Sequence, residues 1–160
     1  MARHPLLIWS KDELILRPTP GWGQKQTPEP IRVGADGSLQ PADARIISLV
    51  HGARHRAAFG RGPTFRLSLA RPGALVVHVN SVARGVPQGP PAGATLVISL
   101  DGKQALCRDL PDKDGKDYPS DDEYDQDFAI DVPAGEHEVR VDNQGADWFS
   151  VDRYVFRGLK

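Results

Sequence analysis

From residue 44 to residue 156 the chain strictly alternates long and minimal connections between short runs of period-two hydrophobicity, and this alternation most constrains its fold. The runs are ARIISLVH (44–51), TFRLSLA (64–70), ALVVHVNSV (74–82), ATLVISLD (94–101), QALCRD (104–109), DFAIDV (127–132), EHEVRVD (136–142) and WFSVDRYVF (148–156). Apolar residues at every second position, bounded by Gly, Pro and Asp, read as antiparallel strands with one face buried. Three connections are tight turns, RPG (71–73), DG (101–102) and PAG (133–135), with the residue types such turns require. The other four are longer, at 52–63, 83–93, 110–126 and 143–147. Antiparallel neighbours reverse direction at every connection, so the four longer loops are expected at one end and the three turns at the other.

These runs predict an all-β protein, an antiparallel β-sandwich of about eight strands. No segment carries a sustained 3.6-residue apolar stripe, and 16 Gly and 14 Pro fit a turn-rich chain. At 160 residues one domain with a proper core is expected. Residues 44–160 form the sandwich, and residues 1–43 form an N-terminal arm or hairpin packed on it. In that arm LLIW and ELILR read as two short strands around SKDE, followed by the Pro- and Gly-rich PTPGWGQKQTPEP. Trp9 is expected to be buried.

The net charge of −1 gives no global reason to expect nucleic acid or an anionic membrane as partner. The single cysteine, Cys107, excludes an internal disulfide and a Cys-rich zinc site, and is expected at an apolar strand position. The first residues carry neither a signal-peptide core nor a membrane span.

The stretches PTFRLSLARPGALVVHVNSV, LVISLDGKQAL and FAIDVPAGEHEVRVDNQGADWFSVDRYVF together resemble jelly-roll, galactose-binding-like modules of the carbohydrate-binding type. Such modules are found C-terminal to cellulase-like glycoside hydrolase domains. The likeness runs from about residue 46 to residue 157 and leaves out the N-terminal quarter. It implies a non-catalytic module that holds a linked hydrolase on a polysaccharide such as a β-glucan, in an extracellular setting as part of a secreted parent. The partners implied are a polysaccharide or oligosaccharide and the linked catalytic domain.

Sugar recognition needs flat apolar rings for pyranose C–H groups and planar polar side chains for hydroxyls. Trp148 follows NQGAD at the loop end, with Asn143, Gln144 and Asp147 beside it. Trp148 could equally plug the sandwich mouth while Asp147 caps loop backbone, and in the related modules this position tends to be structural. Tyr118 and Tyr124, in the acidic loop, could flank a cleft, while Arg54, His55 and Arg56 add donors at the same end. Trp22, between two glycines, is either an exposed platform or an anchor for the arm. His78 and His137 fall within strands and read as members of polar strand faces.

Residues 109–127 hold nine acids against two lysines, leaving twelve acids and eighteen Lys or Arg elsewhere. Such a loop must be solvated, paired with the basic body or neutralised by a hard cation. The spacing in DKDGKD makes Asp112, Asp114 and Asp117 candidate calcium ligands, although the Gly position excludes an EF-hand. No nucleophile elbow, phosphate loop or paired-His motif is present. The alternative function is a structural accessory sandwich that packs on a catalytic domain and binds no sugar. An apolar patch open to solvent, together with buried Trp22 and Trp148, would favour it.

Overall fold

A computed structural model describes residues 4–20, 24–84, 92–116 and 123–159. The chain is an all-β sandwich of two sheets. Its strands are β1 (Leu6–Ser10), β2 (Glu13–Arg17), β3 (Ile31–Val33), β4 (Leu39–Gln40), β5 (Leu49–Val50), β6 (Thr64–Leu69), β7 (Gly73–Ala83), β8 (Ala94–Leu100), β9 (Lys103–Leu110), β10 (Gln126–Val132), β11 (Gly135–Asn143) and β12 (Trp148–Arg157). The first sheet runs β1-β2-β12-β7-β10, with β5 on the free end of β12; the second runs β4-β3-β6-β11-β8-β9. All pairs are antiparallel except β3 with β6.

Alternation decides which face each strand buries. In β6, Phe65, Leu67 and Leu69 enter the core while Arg66 and Ser68 stay outside. Their partners on β11 and β8 do the same, with Val139, Val141, Leu96 and Ile98 wholly enclosed. The ring of Phe65 meets Tyr154 and Phe156 of the facing sheet edge-on, with centroids 5.2 and 5.1 Å away. Aromatic edges contacting faces in this way fix how the two layers interdigitate.

Seven of the eight expected runs in the sandwich are strands, within a residue or two at each end. The exception is 44–51, where only Leu49–Val50 pairs as strand. Ala44, Ile46 and Ile47 are buried as their pattern demands, yet an isolated bridge to Thr19 and side-chain bonds take the place of a continuous neighbouring strand. Gln26 accepts the Ile47 N–H and donates to the Arg45 carbonyl, and Thr27 Oγ1 accepts the Arg45 N–H.

The first 43 residues contribute two strands to each sheet: the expected hairpin β1-β2 joins β12, and β3-β4 joins β6. β3 and β4 were not expected, because runs of three and two residues leave almost no periodic signal. Trp9 is half-buried against the core rather than enclosed.

Cys107 sits on a strand as expected but is exposed, because its neighbour Leu106 takes the inward position of β9. His78 lies on a polar strand face beside Arg153 and Asp127, as expected, but it is covered rather than exposed. Its ring is buried, with Nδ1 2.6 Å from Asp127 Oδ1 and Nε2 2.8 Å from Asp125 Oδ1. It thus fastens the end of the acidic loop to β7.

Candidate functional site

The described parts of the four longer connections meet at one end of the sandwich and are bonded to one another. Ala53 N–H donates to the Gly145 carbonyl, Asp147 N–H to Gly93, and Gln144 N–H to Thr95. The approach is too close for side chains: a Cβ on Gly52 would lie 2.4 Å from the Ala146 oxygen, and one on Gly145 2.6 Å from Ala94 Cα.

Two of the sequence candidates hold this rim together from inside. Asp147 is fully buried, and its Oδ2 accepts the N–H groups of Ala92 and Gly93 at 2.9 and 2.8 Å. Asn143 is also fully buried. Its Oδ1 accepts from Thr95 and Gly145, and its Nδ2 donates to the carbonyls of Val50 and Asp147. The Asn143 amide therefore ties together the flanks of three connections, and the Asp147 carboxylate ties two. These groups are spent on backbone, and neither side chain reaches the surface.

Trp148 is 4% exposed and closes a small apolar cluster with Leu49, Ala83 and Phe59. Above it lies the helical part of the 52–63 loop, a 3-10 turn (Ala53–His55) running into α1 (Arg56–Phe59). His51 stacks on Phe59 at 4.7 Å and meets Trp148 edge-on at 4.5 Å. The Trp148 Nε1–H donates to His55 Nδ1 at 3.0 Å. The mouth-plugging role weighed for Trp148 is the one this geometry has, and its ring faces are taken by protein.

Burial, with a smaller contribution from His55, pushes the His51 imidazole down to about 4. His51 Nε2 is buried and has no hydrogen-bond partner among the described residues. Arg56 turns inward, donating to the Asn143 carbonyl at 2.7 Å with Asp142 3.9 Å away.

At the surface of the same rim stand Arg54 and Gln144, both exposed, and His55, half-buried. Arg54 and Gln144 are brought together by the Ala53–Gly145 hydrogen bond between their neighbours. Tyr124 is half-buried instead of exposed: its hydroxyl donates to the Pro111 carbonyl, and the Lys113 ammonium sits 4.0 Å over its ring. Burial, and the nearby carboxylates of Glu123 and Asp112, push its phenol up to about 12. Trp22, Tyr118 and Asp117 lie outside the described residues.

Asp112 and Asp114 do converge, joined by Glu123, which spacing alone did not single out. One oxygen from each lies within 4.8 Å of the others. Four oxygens of Asp112 and Glu123 already accept N–H groups, from Gly115, Arg84, Val82 and the pair Lys113 and Asp114. Arg84 Nε, 3.2 Å from Asp112 Oδ2, supplies counter-charge. Glu123 Oε2 has both lone pairs engaged, whereas Oε1 and the two Asp112 oxygens each keep a second one, and an all-oxygen set is what a hard cation takes.

No family model matches the chain, and no curated protein matches it. It is similar to a solved structure described as a family 35 carbohydrate binding module from an environmental isolate, with 17% identity and a TM-score of 0.40. The alignment covers 59% of this chain and 64% of that module, so the chain spans less than two thirds of the module's length.

Proposed function

We propose that this protein is a non-catalytic saccharide-binding module that uses the loop rim, and that it serves a linked catalytic domain by keeping it at a polysaccharide. The observation that carries the reading is the welding of the longer connections into one surface on which Arg54, His55 and Gln144 remain accessible. Guanidinium, imidazole and amide groups are planar, directional partners for sugar hydroxyls. Stacking is assigned to Trp22 and Tyr118, since the rings of Trp148 and Tyr124 are already covered. Hydroxyl bonds replace bonds to water, so single-site affinity is modest, and tethering supplies effective concentration.

Affinity electrophoresis against soluble β-glucans, xylans and mannans tests this. Wild type is retarded by at least one of them; Trp22→Ala, and the pair Arg54→Ala with Gln144→Ala, run faster on the same gel. If no polysaccharide retards wild type, the reading falls.

Burial of Trp148 and the presence of an outward apolar face favour the second reading, an accessory sandwich without sugar affinity. Calcium on Asp112, Asp114 and Glu123 is a subsidiary proposal. EDTA lowers the melting temperature if an ion is resident, whereas an unchanged value leaves Arg84 and the backbone donors as the whole neutralisation.

A further inference from the structure

The outer face of the first sheet carries an apolar row that crosses β1, β2, β12, β7 and β10 in register. Ile8 lies beside Ile15, Ile15 beside Val155, Val155 beside Val76, and Val76 beside Ala129. The rows on either side are polar. Arg17, Arg153, His78 and Asp127 form one, and Glu13, Arg157 and Asp131 belong to the other. In the middle of the sheet the row is covered, with Val155 and Val76 6% and 3% exposed. At the β1 end it is open: Leu6 and Ile8, 54% and 45% exposed, are the exposed large hydrophobics among the described residues.

Besides the two-residue β5, four strands end the two sheets, and three of these four are protected. β10 presents Asp127 and Asp131, β9 presents Lys103, Arg108 and Asp109, and β4 is two residues long and followed by Pro41. Charges, short length and proline are the usual means of keeping sheet edges from pairing. β1, LLIWS, has none of these over its five residues.

We infer that β1 is a self-association edge, and that a second copy of this chain adds its own β1 antiparallel to it about a two-fold axis at Ile8. That register sets Ile8 against Ile8 and Leu6 against Ser10. It prolongs the apolar row across both copies and opposes no like charges, because β1 contains none. The polar row of one copy holding Arg17 then runs on into the row of the other holding Glu13, so the flanks are complementary in sign. An isologous contact of this kind closes on itself and gives a dimer rather than a fibre.

Sedimentation velocity of the full chain at about 100 µM, a concentration at which a moderate self-affinity is populated, gives a dimer. Ile8→Lys places two ammonium groups face to face at the axis and weakens association at least about tenfold. Because Ile8 is on the surface, the circular dichroism of this variant matches wild type. In a Cys107→Ser background, Ile8→Cys cross-links on mild oxidation while Ser10→Cys does not. A wild-type monomer overturns the inference, and assigns the open face to a linked domain instead. A dimer that survives Ile8→Lys, or a cross-link at Ser10 in place of Ile8, overturns it as well.

Discussion

The two ends of the sandwich are built on opposite principles. At the turn end, chain reversal is local: Asp101 and Gly102 adopt φ of 50° and 81°, and the exposed Asp101 carboxylate takes the Glu138 N–H and sits 2.7 Å from His137 Nδ1. At the loop rim, reversal takes many residues, and order comes from buried polar groups that reach between connections, Asp147 and Asn143 above all. A tight turn is specified by its own two residues. A long loop is specified by distant ones, so its geometry depends on a few buried side chains whose loss is expensive.

The comparison is broken if the rim tolerates truncation. Trp148→Ala removes the ring under the helical loop and the bond to His55, and is expected to cost about 4 kcal/mol, as large-to-small changes of buried aromatics do. Urea unfolding with an unchanged slope measures it. Asp147→Ala takes the acceptor from the Ala92 and Gly93 N–H groups and leaves a cavity at a fully buried position, and is expected to cost about 2 kcal/mol in the same assay.

Acid sharpens the contrast. His51 is held down to about 4, chiefly by burial and secondarily by His55, against an ordinary value of 6.5. Between those values the unfolded chain binds the extra proton and the folded chain does not, so stability falls as pH is lowered through that window, by on the order of 1–2 kcal/mol. His51→Phe flattens that part of the profile. At the turn end the sign is reversed: the Asp101 hydrogen bond raises His137, so its contribution is present at low pH and is lost as pH climbs past the raised value. The smallest effect is expected from Asp101→Asn, which keeps the turn and removes an exposed charge, at less than about 1 kcal/mol.

Strand positions were legible because alternation and turn residues are local signals, and the same logic placed the longer loops at one end. Directions of side chains were not. Asp147, Asn143 and Trp148 have the chemistry of a sugar site, but a sequence does not say whether an amide faces water or a neighbouring loop's backbone. Arg54 and Gln144 differ from them in exposure rather than in type. Glu123 was hidden for a related reason: it lies nine residues from Asp114 along the chain, and the acidic loop folds back to bring its carboxylate to the Asp114 N–H. The strand-like role of Gln26 was invisible too, since a side chain imitating a peptide group follows no period.

The Trp148–His55 contact carries one more consequence. An indole nitrogen can only give a proton, so Nδ1 of His55 must hold a lone pair, and the imidazole's own hydrogen then resides on Nε2. The tautomer is thereby dictated from beneath, by a buried residue. Any partner of that Nε2 is therefore an acceptor, a group that brings a lone pair and no proton of its own.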